Sequence, residues 1–175
     1  NSHIDKYVNT ISKVVKNSRR STDVSVAKRN KLPTVDRIIV CDIDNTLVGD
    51  DEGLYQLLNI VERCEGKVGF AVATGRHIES TLALIEEYNI PMPDLLITSV
   101  GSEIHYGHKL VQDVNWTQHI NYRWKADAIH NVISTLKGIK LQQSSSQRKH
   151  KISYLLDPSQ APTVREISTQ LRKRD

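Results

Sequence analysis

Apolar and polar positions follow three rhythms along this chain. Ile4, Tyr7, Val8, Ile11, Val14 and Val15 recur at intervals of three and four, which predicts an amphipathic helix over roughly residues 3–17. Asn17 to Pro33 is polar and basic and reads as a linker. A strand–helix–strand–helix–strand run comes next. Short apolar stretches at 37–41 (RIIVC), 68–73 (VGFAVA) and 95–99 (LLITS) predict strands. Between them, 54–64 (LYQLLNIVERC) and 78–88 (IESTLALIEEY) have helical periodicity, the second ended by Asn89 and Pro91. Apolar strands alternating with helices predict a parallel sheet covered on both faces.

After Gly101 the rhythm changes. Residues 103–111 (EIHYGHKLV) predict a hairpin around Gly107. Residues 117–136 read as broadly helical, and 139–142 and 151–156 as two strands joined by the polar loop QSSSQRKH. A final helix is predicted over 162–172, opened by Ala161-Pro162. This second stretch reads as a smaller α/β unit.

Length and composition narrow the class. A chain of 175 residues holds one domain, or a domain with an appendage. With 38% hydrophobic and 25% charged residues it is not broadly disordered. No run approaches the ~18–20 apolar residues of a membrane span. Two cysteines, Cys41 and Cys64, are too few for a disulfide framework, so a reducing, cytoplasmic setting is expected. The net charge of +4 is unevenly placed: residues 1–37 hold nine Lys/Arg and three acids, and the remainder holds 15 and 17. The basic leader could contact nucleic acid, and that reading predicts salt-sensitive binding. Apart from Tyr7 it lacks the aromatic residues that stack on bases. It is therefore read as a solvated helix face and linker, with neither nucleic acid nor membrane as partner.

The strongest chemical signal is Asp42-Ile43-Asp44-Asn45-Thr46, directly after the first apolar strand. In open α/β sheets ligands bind at the carboxyl ends of strands. Carboxylates at i and i+2 there can turn to one side, a costly arrangement unless a cation or proton sits between them. Mg²⁺ with phosphate oxygens would satisfy the pair. One carboxylate could then attack phosphorus, and the other could protonate the leaving oxygen and activate water. A plain acidic turn competes with this reading. A calcium loop does not, because counting Asp42 as one places Leu47 at the glycine position and Gly53 at the glutamate position. Ala73-Thr74-Gly75-Arg76 ends the second strand and opens a helix. Thr74 could bond a phosphoryl oxygen, Gly75 allows close backbone approach, and Arg76 offers a bidentate donor. A P-loop is excluded, since no GxxxxGK[ST] occurs. Ser99-Val100-Gly101-Ser102-Glu103 forms a third polar turn at the same edge.

Together these segments resemble the haloacid dehalogenase (HAD) superfamily of phosphatases, and within it the sucrose-phosphate phosphatase branch. Trp116-Thr117-Gln118-His119 and Lys151-Ile152-Ser153-Tyr154 are similar to that branch's cap motifs. The leader resembles the last glycosyltransferase helix and linker of bacterial sucrose-phosphate synthases, which carry such a domain at their C-terminus. The resemblance implies an α/β, Rossmannoid parallel-sheet core with an α/β cap insertion. It divides the chain into a helix and linker (1–36), the first part of the core (37–104) and a cap (105–175). It implies Asp42 as nucleophile and Mg²⁺ ligand. Asp44 becomes the general acid/base and lends a carbonyl to the metal, and Thr46 helps hold the loop. Thr74 becomes the phosphate-binding hydroxyl, with Gly75 and Arg76 at the sugar-phosphate entrance. Glu103, Lys151 and Tyr154 are weaker candidates for sugar contact. Trp116 and Trp124 are expected to pack in the cap's helix layer, and the seven histidines to lie mostly on the surface.

One departure from the pattern matters. The family's phosphate-binding lysine and Gly-Asp-x-x-x-Asp-like turn have no counterpart after Lys151, so the core is expected to be cut short within its cap. Two readings result. In one, the parent polypeptide hydrolyses sucrose 6-phosphate with Mg²⁺, while this piece alone turns over weakly or not at all. In the other, a HAD-like module binds sugar phosphate or regulates a synthase without turnover.

Overall fold

A computed structural model describes residues 35–64 and 67–173. The expected amino-terminal helix and nearly all of the linker lie outside these residues. Two compact units divide between Trp116 and Thr117.

The first unit holds β1 (Arg37–Cys41), α1 (Asp51–Arg63), β2 (Val68–Ala73), α2 (Ile78–Glu87), β3 (Leu95–Thr98), β4 (Glu103–Tyr106) and β5 (Val111–Gln112). The strands form one sheet in sequence order. β1, β2 and β3 are parallel, with Cys41 beside Val72 and Ala73 beside Ile97. β4 and β5 continue the sheet antiparallel, as the expected hairpin, with Gly107 in the left-handed region at φ 61°.

Local chemistry explains the helix starts. Asp50 caps α1, its carboxylate accepting from the Gly53 amide at 3.0 Å, so the helix begins before the predicted Leu54. His77 caps α2 through the Ser80 amide. Both helices lie over one face of the sheet, where Phe70, Val72 and Leu96 meet Leu54, Leu57 and Ile85. Successive right-handed crossovers running in one direction put their helices on the same side. Among the described residues, then, helices cover one face of the sheet. On the opposite face of β1, Ile38 and Val40 remain 39% and 50% exposed, and among the described strands β1 lies at one edge of the sheet.

The second unit takes in most of α3 (Val114–Asn121), with α4 (Ala126–Ile133), β6 (Ile139–Leu141), β7 (Tyr154–Leu156) and α5 (Val164–Arg172). The stretch 117–136, expected to be broadly helical, holds two helices separated at residues 122–125. Asn121, Tyr122 and Trp124 are mediocre helix formers, which makes this the weak point of the run. β6 and β7 pair antiparallel. The Gln147 side chain ties their connecting loop, donating to the Gln142 and Ser153 carbonyls and accepting from the Ser153 amide at 2.8 Å. α5 opens with a reciprocal capping box between Thr163 and Glu166. Among the described residues no helix is long and apolar enough to cross a membrane.

Two substitutions test this packing. Leu96 is fully buried at the centre of the helix-covered face. Leu96→Ala is expected to cost about 3 kcal/mol in urea unfolding. Gly138 sits at φ +68°, and a Cβ there would lie 2.6 Å from the Ala161 nitrogen. Gly138→Ala is expected to cost about 2 kcal/mol or more and to lower the melting temperature measured by circular dichroism.

Candidate active site

The pleat of β1 carries into the loop beyond it. Ile43 and Leu47 are buried at 0% and 1% exposure, while Asp42 is exposed and Asp44 partly so. The two apolar anchors force the carboxylates to the other side. The loop is closed by the Val48 amide donating to the Ile43 carbonyl at 3.1 Å, with Asn45 in the left-handed region at φ 58°. Asparagine tolerates that conformation better than most residues. Thr46 is half-buried on this loop.

The β2 exit supplies the neighbouring wall. Thr74 is buried, its amide bonded to the Ile97 carbonyl and its Oγ1 accepting from the Arg76 amide at 3.2 Å. Space above Gly75 is open: a Cβ there would meet nothing within 4 Å. The Arg76 guanidinium grips Asp44 as a fork, Nε to Oδ2 at 2.9 Å and Nη2 to Oδ1 at 2.7 Å. Its Nη1 donates to Ser80 Oγ at 3.0 Å on the first turn of α2. This bidentate contact holds the Asp44 carboxyl below its ordinary range, first through the hydrogen bonds and then through charge, and pushes the Arg76 guanidinium up.

The β3 exit forms the third side. Glu103, at the start of β4, accepts from Thr98 Oγ1 at 3.2 Å. Asp42, Asp44, Thr46, Thr74, Gly75, Arg76 and Glu103 thus all lie at or beside the exits of adjacent strands in the first unit. Lys151 and Tyr154 belong to the second unit. There Lys151 bridges Arg148 through the backbone, and the Tyr154 hydroxyl bonds His130 Nδ1 at 3.0 Å. Trp116 departs from its expected cap packing, since its indole N–H donates to the Gly101 carbonyl at 2.9 Å within the first unit. Trp124 remains in the second unit, its indole N–H buried without a partner. Sequence reasoning missed Ser80, although its position four residues after Arg76 on a helix was a usable signal. It also missed the backbone conformation of Val100, which nothing in the sequence marks.

Mg²⁺ binds through one or two carboxylates, waters and phosphate oxygens. The exposed Asp42 carboxylate suits such an ion, while the Asp44 carboxylate is engaged by Arg76. Among the described residues no group of three or more His, Cys, Asp or Glu side chains could hold a metal. The fit is therefore to an ion that substrate and water would complete.

The profile of the sucrose-6F-phosphate phosphohydrolase family matches residues 35–175. The chain belongs to this family. A relative named probable sucrose-phosphatase 1, from Arabidopsis thaliana, is 34% identical over 146 residues, which covers 78% of this chain and 34% of that protein. The X-ray structure of the sucrose-phosphatase from Synechocystis sp. PCC6803, in complex with sucrose and phosphate, superimposes with a TM-score of 0.72 at 32% identity. That match covers 78% of this chain and 55% of the other. A haloacid dehalogenase-like hydrolase from Bacillus subtilis shares the fold, with TM-score 0.51 and 18% identity over 88% of this chain and 63% of its own. The α/β core expected from the sequence is thus the HAD-like fold of this phosphohydrolase family. The chain spans about a third of the length of the plant relative.

The Arg76–Asp44 pair has a pH signature. Asp44 titrates lower in the folded chain than in the unfolded one, so the pair's contribution is complete above the unfolded carboxyl pKa of about 4. It is lost as pH falls through the lower folded value. With side chains 38% and 44% exposed, the pair is worth about 0.5 kcal/mol after solvent screening. Arg76→Ala should lose that amount at pH 7 and less at about pH 2.5, below the unfolded value. Urea unfolding at both pH values measures the difference.

Proposed function

We propose that the polypeptide containing this chain hydrolyses sucrose 6-phosphate to sucrose and phosphate through an aspartyl-phosphate. The observation that carries this reading is the pair at the β1 exit: Asp42 open on the loop, and Asp44 two residues on, oriented by the Arg76 fork. Family membership supports the phosphatase chemistry, and the relatives' printed names support the sugar.

In this reading an Asp42 carboxylate oxygen attacks phosphorus in line, and the P–O bond to the sugar breaks. As the phosphoryl oxygens draw the Arg76 guanidinium to themselves, Asp44 loses the contact that keeps it ionised and delivers a proton to the departing sugar oxygen. Water then attacks the aspartyl-phosphate, Asp44 takes its proton, and phosphate leaves with the Asp42 carboxylate restored. The Thr74 hydroxyl, the open backbone at Gly75 and the Arg76 guanidinium hold the phosphoryl oxygens, aided by the N-terminus of α2. Thr46 and Glu103 stand at the same strand exits of the first unit. Mg²⁺, held by Asp42 and the Asp44 carbonyl, supplies positive charge for the phosphoryl group when bound. We further infer that residues 1–36 join a preceding glycosyltransferase domain and that the protein works in the cytoplasm, a setting that fits the free thiols of Cys41 and Cys64.

A second reading, a sugar-phosphate-binding module without turnover, is favoured by one observation. No third ligating side chain joins the aspartates among the described residues. Calorimetry separates the two, because a module binds sucrose 6-phosphate without consuming it.

The decisive experiment measures phosphate release from sucrose 6-phosphate by the full-length polypeptide with Mg²⁺. Asp42→Asn is expected to abolish release, and Asp44→Asn to lower kcat about 10²–10⁴-fold. Chelation of Mg²⁺ is expected to stop turnover reversibly. Wild-type rates from Asp42→Asn would sink the hydrolytic mechanism.

A further inference from the structure

The turn after β3 departs most from relaxed backbone geometry. Ser99, Val100 and Gly101 all have positive φ, at 53°, 62° and 85°. Glycine adopts such values without strain, but a β-branched residue there is an outlier. Val100 also gains nothing from burial, since it is 70% exposed. Among the described residues nothing packs on this valine to explain its strain, and strain of this kind clusters where structure serves function.

The turn is held in place from two directions. The Ser99 amide donates to the Arg76 carbonyl at 2.6 Å, and the Val100 amide to the Thr74 carbonyl at 3.3 Å. On the other side, the Trp116 indole donates to the Gly101 carbonyl, and Asp113 fixes Trp116 by accepting from its amide at 3.0 Å. Asp113 is itself held by the Tyr106 hydroxyl at 2.7 Å. Ser99 is fully buried beneath Val100, and the Ser102 hydroxyl donates to the Ser99 carbonyl. Val100 is thereby fixed to the loop that carries Thr74, Gly75 and Arg76.

We propose that Val100 is a specificity-determining residue. Its isopropyl group forms an apolar wall beside the phosphate loop, against which the C–H face of the substrate's sugar packs. The proposal rests on the reading of Thr74 and Arg76 as the phosphate-holding loop. An ester anchored there places its first carbons next to the phosphate, and the Val100 amide is bonded to Thr74 of that same loop. Binding sites combine such apolar walls with a few polar anchors. A bare phosphate reaches only the anchors, so the wall discriminates sugar phosphates from inorganic phosphate.

The test measures, by calorimetry with Mg²⁺, the affinities of sucrose 6-phosphate, fructose 6-phosphate and inorganic phosphate, in an Asp42→Asn background that blocks turnover. Val100→Gly relaxes the backbone and removes the wall. It is expected to raise the melting temperature by about 3 °C, to weaken both sugar phosphates about tenfold, and to leave inorganic phosphate within twofold. Val100→Asn, which tolerates the left-handed conformation but is polar, is expected to give the same loss for the sugars. Equal weakening of all three ligands by both variants would make the turn a mere support of the phosphate loop and overturn the proposal. So would a sugar preference untouched by either variant. If the parent protein gains nothing from sugar over bare phosphate, the sugar-phosphate reading of the site fails and the wall with it. If the parent keeps that preference and Val100→Gly keeps it too, only the wall fails.

Discussion

Burial of two side chains places everything else at this site. Ile43 and Leu47 have no solvent exposure to speak of, and they flank Asp44 on the loop leaving β1. Each fully buried aliphatic side chain contributes roughly 1.5–3 kcal/mol, far more than any exposed ion pair on the same loop. The hydrophobic anchors therefore dictate which way the carboxylates face. The Arg76 fork then sets the orientation of Asp44 within that frame. Packing comes first and electrostatics refines it.

The parallel register makes the fork possible. Cys41 lies beside Val72, so the two strands end within about one residue of each other and the loops after them emerge side by side. Arg76 reaches Asp44 although 32 residues separate them in sequence. The same guanidinium is braced by Ser80, which ties the fork to α2. A side chain with all its contacts directed this way loses little further freedom when it meets an anion, which is the benefit of a preorganised donor.

Most of this was legible in the sequence because the signals were strong and local. β1, β2 and β3 are short apolar runs bounded by polar turns, and they fold where the pattern puts them. The Asp42–Thr46 and Thr74–Arg76 segments stand out because charged and hydroxyl residues follow such runs at once. The reading failed where an outcome depends on partners distant in sequence. RIIVC has the composition of a strand covered on both faces, yet the described elements cover one, because both crossovers run the same way. Residues 117–136 read only as broadly helical, and the mediocre propensity of 121–124 is where the stretch divides into two helices. Trp116 read as cap packing because a tryptophan near a helix start gives no hint that its N–H will find Gly101.

The positive-φ positions at the carboxyl edge show how sequence and strain divide the work. At the β1 exit the left-handed residue is Asn45, for which the conformation is inexpensive, and the loop needs only one backbone closure. At the β3 exit the left-handed run includes Val100, at a cost of about 1–3 kcal/mol. That turn carries correspondingly more restraint: bonds to Arg76 and Thr74 on one side and to the Trp116 indole on the other. Had the chain needed only a bend here, glycine at this position would give it without strain. Retaining valine and surrounding it with hydrogen bonds makes physical sense when the side chain itself is what must be presented.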